Sequence, residues 1–318
     1  MPRMLLRRSD LQKGLFNRMI YTLTLNPSLD YVALCDNFNI GKTNRTKDEY
    51  IVPGGKGLNV SILLSRLGED TTALGFAGGF TGDELVRLLK KENINCNFLR
   101  VEGNTRINVK LSGNEITEFN ASGISLNDKD FLAVKGKIEE LSSGDWLCLS
   151  GSIPKGAESD IYLQLALSAK KGVKVVIDAV GEALTLSLKA KPFLIKPNLD
   201  ELCDIFGVKI SSKEEVEKYA ERLQEMGAQN VLVSMGKEGA FLLDMFGNTH
   251  YHAAPKGKAE NTVGAGDSMI AGFIHSFNET GEFDESLKFA IAAGSATAFS
   301  KWLADAFLIT KLYEELCR

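Results

Sequence analysis

Short apolar runs and helix-period runs take turns along most of this 318-residue chain, an order that few folds can use. Thr72–Gly78, Trp146–Ser150, Lys174–Asp178, Phe193–Lys196 and Asn230–Ser234 read as short buried strands. Between them, Asp83–Glu92, Asp128–Leu141, Ile161–Lys171 and Glu214–Met226 read as helices, and Val60, Leu63, Leu64 and Leu67 follow the i, i+3, i+4, i+7 rule. Alternating β and α units imply an α/β fold, with a mostly parallel sheet covered on both faces. Tyr31–Val52 and Asn97–Asn120 break the rhythm with strand alternation and no helix. They are expected to form a small β-sheet lid, with strands from about 31–52 and 97–120.

Composition excludes several classes. The net charge is −4, which gives no global field for nucleic acid or an anionic membrane. No apolar run reaches the roughly 20 residues of a membrane helix. The five cysteines are scattered and form no CxxC pair, as expected of free thiols in the cytoplasm. His250 and His252 would share a strand face without a third metal ligand type nearby. No GxSxG elbow supports a serine hydrolase, and no GxGxxG follows the first strand to support a nicotinamide dehydrogenase. The first 18 residues carry Arg3, Arg7, Arg8, Lys13 and Arg18 against Asp10, before Met19 opens the strand Ile20–Leu25. Residues 1–18 are expected to be a disordered leader or an over-extended reading frame, and 19–318 the folded domain.

Three segments carry chemistry. In Asn261-Thr262-Val263-Gly264-Ala265-Gly266-Asp267, glycines precede a helix with Ile270, Phe273, Ile274 and Phe277 on one face. Free amides and the dipole at such a helix start make an anion hole suited to a transferring phosphoryl group. Asp267, in the first turn, can take a proton from an attacking hydroxyl. Gly54-Gly55-Lys56-Gly57, followed by Leu58-Asn59, is a second glycine turn that lets backbone approach a phosphorylated ligand, although it lacks Walker A spacing. In Arg106-Ile107-Asn108-Val109-Lys110-Leu111, strand alternation puts Arg106, Asn108 and Lys110 on one face, which suits a phosphate monoester or, equally, solvent.

Gly-Gly-Lys-Gly-Leu-Asn and Asn-Thr-Val-Gly-Ala-Gly-Asp-Ser resemble the paired signatures of the ribokinase/PfkB carbohydrate kinase family, over about Met19 to Phe299. Thr24–Asp30, Thr105–Leu111 and Leu149–Pro154 narrow the resemblance to the members that act on phosphorylated ketohexoses. It implies a ribokinase-like three-layer α/β/α domain with the lid over its site. It also implies transfer from ATP, with Mg²⁺, to the C6 hydroxyl of fructose 1-phosphate. Tagatose 6-phosphate is the alternative substrate, and a non-catalytic sugar-phosphate sensor the alternative from another class.

The resemblance assigns Asp267 as base and Gly264, Ala265 and Gly266 as anion-hole residues. Asp30, Gly55 and Asn59 would bind the sugar, while Lys56, Arg106 and Lys110 would hold its phosphate with Asn108 ordering that face. Lys196, Asn198 and Glu201 would serve the nucleotide, with Glu201 reaching Mg²⁺ through water, and Ser234, Gly236 and Gly239 would form the nucleotide turn. A homodimer through the lid is expected. The family's small turn after Ser300 lies near adenine. Here it is replaced by Lys301–Phe307 with a bulky Trp302, expected to bear on nucleotide affinity or on the C-terminal helix.

Overall fold

A computed structural model describes residues 18–35, 38–112 and 116–318. The leader expected over 1–18 lies outside the described residues except for Arg18. The chain runs β1 (Ile20–Thr24), β2 (Ser28–Leu34), β3 (Asp48–Gly54), α1 (Lys56–Arg66), β4 (Thr71–Ala77), α2 (Gly79–Lys91), β5 (Asn95–Arg100), β6 (Arg106–Ser112) and β7 (Ile116–Phe119). It continues through α3 (Asp128–Glu139), β8 (Trp146–Ser150), α4 (Ile161–Ser168), β9 (Lys174–Asp178), α5 (Gly181–Ser187), β10 (Leu194–Ile195), α6 (Leu199–Phe206), α7 (Lys213–Glu225) and β11 (Asn230–Ser234). The hairpin β12 (Ala240–Leu243) and β13 (Thr249–His252) leads to α8 (Ala265–Thr280), α9 (Phe283–Ala298) and α10 (Ala306–Leu316).

The main sheet has nine strands in the order β13-β12-β11-β10-β9-β8-β1-β4-β5. From β11 to β5 every pairing is parallel, and only β12, antiparallel to both β11 and β13, runs against that direction. Strand alternation feeds two cores. Ile20, Trp146 and Cys148 join one with Leu63 of α1, Phe273 of α8 and Ala290 of α9. Leu23, Leu147 and Leu149 join the other with Ile138 of α3, Leu165 of α4 and Leu223 of α7. This is the three-layer α/β/α arrangement expected of the sequence.

A second sheet, β3-β2-β6-β7, stands apart from the first. Its register puts Asp30 opposite Val52 and Asn108, and Lys110 opposite Val32 and Glu118. Residues directly opposite share a face, so Asp30, Asn108, Lys110 and Glu118 form one face, and Tyr31, Ile51, Ile107 and Phe119 form the other. Residues 97–100, expected with this sheet, belong instead to β5 at the edge of the main sheet, paired in parallel with β4. An edge strand is half exposed and alternates just as a strand of the smaller sheet does.

Trp146 shows how tightly the first core is fitted. It is fully buried, meets Phe193 edge-on at 5.2 Å and Phe277 at 6.1 Å, and donates from Nε1 to Asn278 Oδ1 at 2.8 Å. Trp146→Ala should lower unfolding free energy by about 3–5 kcal/mol, as buried aromatic truncations do. Urea denaturation followed by circular dichroism checks this, and a loss under about 1 kcal/mol would contradict the packing described.

Candidate active site

Open α/β sheets bind ligands outside the carboxyl ends of their strands. Three strand ends here carry unusual buried polar atoms: Thr24 Oγ1 at β1 and Ser150 Oγ at β8 have no hydrogen-bond partner, and the carboxylate oxygens of Asp178 at β9 meet only lysine ammonium groups. Arg106 Nε is the remaining unpartnered atom of this kind among the described residues. Buried polar groups are normally paired, so their concentration at one edge marks a place built for something else to bind.

The glycine turn Asn261–Gly266 delivers α8 to that edge. Gly264 has φ 82°, in the left-handed region, and no side chain caps the helix that follows. Its 16 residues therefore point an uncapped, partially positive end into the site. Asp267 in the first turn is 5% exposed, and its Oδ2 accepts from Asn59 Nδ2 at 2.8 Å. Burial, and then the negative charge of Asp178, push its pKa up to about 6. Lys56, the Asn59 hydrogen bond and Lys196 act against that rise.

Asp178 is itself buried at the end of β9. Lys56, the first residue of α1, brings its Nζ to 3.1 Å from Oδ2, and Lys196, just beyond β10, brings its Nζ to 3.6 Å from Oδ1. Burial alone would raise the Asp178 pKa, but Lys196 and Lys56 outweigh it and hold the carboxyl below its ordinary value. Lys196 also presses on the anion hole, since its Nζ lies 2.9 Å from where a side chain on Gly266 would begin.

The second sheet closes the other side. Asp30 Oδ1 accepts from Ser28 Oγ at 2.7 Å and from Asn108 Nδ2 at 3.0 Å, and its Oδ2 pairs with Lys110 Nζ at 2.9 Å. Gly54 is obligatory here, because a Cβ would collide with the Asp30 carboxylate and the Ser28 hydroxyl. A cavity of about 250 Å³ runs beneath this face, lined by Asp30, Tyr50, Asn59 and Lys110 and closed by Val263 and Trp302. A wider surface groove of about 560 Å³ between α2 and β5, lined by Arg87, Lys90 and Arg100, touches none of these residues.

On the nucleotide side of the expectation, Asn198 and Glu201 form a reciprocal cap on α6. Asn198 N donates to Glu201 Oε2 at 2.9 Å, and Glu201 N donates to Asn198 Oδ1 at 2.8 Å. An isolated parallel bridge joins Asn198 to Ser234. Gly236 opens a short 3-10 turn and Gly239, with φ 97°, closes it.

The structure thus gathers Asp267, Gly264, Ala265, Gly266, Asn59, Lys56 and Lys196 at one point, with Asp30, Asn108 and Lys110 across the cavity. It regroups two expected residues. Lys56 was expected with Arg106 and Lys110, and its ammonium pairs with Asp178, since as the first residue of α1 it reaches the end of β9. Arg106 directs its guanidinium to the carbonyls of Ala121 at 3.0 Å and Asn26 at 2.9 Å. Trp302, expected to bear on nucleotide affinity or on the C-terminal helix, lines the cavity with Asp30 and Lys110, and the Arg66 guanidinium lies 4.9 Å from its ring. Asp178 was missed, although a carboxylate ending the apolar run Val175-Val176-Ile177 was a readable signal. His250 and His252 reach Asp244 and Asp284, at 3.0 Å and 2.7 Å, away from this site.

The buried charge of Asp267 has a stability consequence. Its folded pKa of about 6 exceeds the ordinary 3.8, so between those values the folded state keeps a proton that the unfolded state has lost. Stability must then fall as pH rises through that window, by about 1.4 kcal/mol for each pH unit crossed and so by a few kcal/mol at most. Asp267→Asn should remove this loss and melt higher than wild type at about pH 8, with a smaller difference at about pH 4.5. Thermal unfolding at both values tests it, and an equal difference at both would refute it.

Comparison with known proteins gives the constellation a family. The profile of the pfkB family carbohydrate kinases matches residues 24–306. A 1-phosphofructokinase of Bacillus subtilis is 43% identical over 301 residues, covering 94% of this chain and 98% of that protein. A D-tagatose-1-phosphate kinase of Bacillus licheniformis is 40% identical over 289 residues, covering 90% and 95%. Among solved structures, phosphofructokinase-2 from Escherichia coli in complex with substrates and products superposes with a TM-score of 0.89 at 33% identity, covering 94% of this chain and 100% of that one. The same protein has also been solved in a tetrameric inhibited form. With its fold, its glycine turns and its relatives in agreement, the chain belongs to the pfkB family of carbohydrate kinases.

Proposed function

We propose that this chain is a 1-phosphofructokinase, transferring the γ-phosphoryl group of ATP to the C6 hydroxyl of fructose 1-phosphate and giving fructose 1,6-bisphosphate. The observation that carries the reading is Asp267, a buried carboxylate of raised pKa at the uncapped start of α8. A base poised near neutral pH beside an anion hole is what phosphoryl transfer to an alcohol requires. Asp267 takes the hydroxyl proton as attack begins, while the amides of the Gly264–Asp267 turn meet the charge on the phosphoryl oxygens. Asn59 orients the base through its hydrogen bond. Asp30, held by Ser28 and Asn108, offers its carboxylate to sugar hydroxyls, and Lys110 and Arg106 lie on the face suited to the sugar's own phosphate.

ATP would occupy the ends of β10 and β11, where Lys196, Asn198 and Ser234 meet the turn at Gly236 and Gly239. Glu201 fits a magnesium ion carried on its phosphates, since the α6 cap uses Oε2 and leaves a hard oxygen acceptor for one of the ion's waters. When bound, Mg²⁺ would neutralise phosphate charge. Relatives named for both fructose and tagatose 1-phosphates keep the sugar's identity a matter for assay.

The second sheet is read as a lid that also joins two copies. Its outer face shows Ile51 at 45%, Ile107 at 44% and Phe119 at 56% exposure, an apolar surface that a homodimer would cover. The free cysteines, and the lack among the described residues of any helix able to cross a membrane, accord with a cytoplasmic enzyme.

Coupled ADP release with ATP and Mg²⁺ tests the reading on fructose 1-phosphate, tagatose 1-phosphate and tagatose 6-phosphate. Fructose 1-phosphate should be preferred, and Asp267→Asn should lose on the order of 10² to 10⁴ in turnover. Near-normal turnover in that variant would refute the base. Sugar-phosphate binding without ADP release would instead indicate a sensor. Phe119→Lys should convert a dimer to monomers in sedimentation velocity, and a monomeric wild type would remove the dimer reading.

A further inference from the structure

We infer that Asp178 is a positioning residue, whose task is to hold the ammonium groups of Lys56 and Lys196 away from Asp267 so that the base stays unpaired. This rests on the reading of Asp267 as the base.

The geometry poses a problem that Asp178 solves. Two cationic side chains converge on the uncapped start of α8, Lys196 5% exposed and Lys56 partly screened. That end of a helix is already partially positive, so it repels them. Buried cations need a counter-charge. Two buried carboxylates stand within their electrostatic reach, Asp178 and Asp267. Both lysines make their ion pairs with Asp178, at 3.1 Å and 3.6 Å, while the hydrogen bond that reaches Asp267 comes from the neutral amide of Asn59.

Among the described residues Asp178 has no further partner. It is 2% exposed, and no backbone amide or hydroxyl among those residues donates to either of its oxygens. A carboxylate kept there at such cost serves the two ammonium groups. Remove its charge, and Asp267 becomes the carboxylate left for them. An ammonium on Asp267 would block the lone pair that must receive the hydroxyl proton, and would lower its affinity for that proton. With Asp178 in place, the lysines stay charged and remain beside Gly266, within reach of an anion on the α8 amides.

The groups that face Asp267 and set its titration are Asp178 from β9, Lys56 and Asn59 from α1, and Lys196 from the end of β10. Glu201 on α6 acts on Lys56 rather than on the base. Loss of the Asp178 charge moves Asp267 downward twice over, by ending a repulsion and by releasing two cations toward it.

The experiment is the pH dependence of kcat with saturating ATP, Mg²⁺ and sugar phosphate, for wild type, Asp178→Asn, Lys196→Met and Asp267→Asn. Calorimetric sugar-phosphate binding and melting temperature accompany each. Asp178→Asn should bind the sugar phosphate as wild type does. It should lose on the order of 10- to 10²-fold in kcat at about pH 7.5, and its acidic limb should move to lower pH by about one unit or more. A wild-type kcat, or a loss of kcat with an unmoved limb, would overturn the inference, the latter showing a merely structural role. If Asp178→Asn does not fold, Lys196→Met decides: removal of a cation should move the limb upward, and an unmoved limb refutes. Activity in Asp267→Asn would sink the base reading itself, whereas an inactive Asp267→Asn with an unmoved Asp178→Asn limb would sink this inference alone.

Discussion

The arrangement of this molecule turns on keeping one carboxylate buried and free. Asp267 is largely screened from water, and among the described residues its side-chain hydrogen bond comes from Asn59. A buried ionised group is tolerated only when the surroundings fix its position and balance its charge. The glycine turn fixes the backbone at Gly264, α1 supplies Asn59, and the cations stand on Asp178. Each comes from a different segment, and the parallel sheet is what brings them together. Strands running the same way put all their carboxyl ends, and so Thr24, Ser150, Asp178 and Lys196, on one edge.

The smaller sheet applies a different rule to the same end. Its period of two separates a polar inner face from an apolar outer one, so a single strand such as β6 does both tasks. Asn108 and Lys110 bind Asp30 on the inside, and Ile107 stands outside at 44% exposure. Gly54 lets β3 pass against the Asp30 carboxylate, which ties this sheet to the turn that begins α1. The Asp30 carboxylate and the Asn59 amide that donates to Asp267 are therefore linked through a few residues of backbone.

Much of this was legible in the sequence, for physical reasons. Buried parallel strands are apolar at consecutive positions, so β8, β9 and β11 appear at the expected residues. The Asn261–Asp267 turn was legible because glycines before a helix have few other uses, and the face of Arg106, Asn108 and Lys110 because alternation is geometric. What failed was partnership. Period shows that residues 97–100 are a half-exposed strand but not which sheet they join. Lys56 opens α1 three residues before Asn59, yet its ammonium reaches Asp178 at the end of β9, a contact that closeness in sequence cannot reveal. For Trp302 the sequence offered two roles, toward nucleotide affinity or toward the C-terminal helix, and no partner. In this chain Arg66 supports its ring, and the same guanidinium anchors the carbonyls of Leu303 and Ala304.

The unpartnered atoms explain why the same edge resists prediction. An unsatisfied buried hydroxyl costs about 1–3 kcal/mol, and Thr24 and Ser150 leave two of them at this edge, beside a carboxylate, Asp178, that only lysine ammonium groups reach. Two cores fitted as closely as the one around Trp146 offset that cost. Local rules of burial and pairing describe the offsetting part well, because there every level agrees. They fail where the chain departs from them, at the ends of β1, β8 and β9, where polar groups lack local partners and Asp178 is met by lysines from α1 and the end of β10. The departure is therefore a positive signal: polar residues that close apolar strands on one edge of a parallel sheet mark where residues distant in sequence assemble a site.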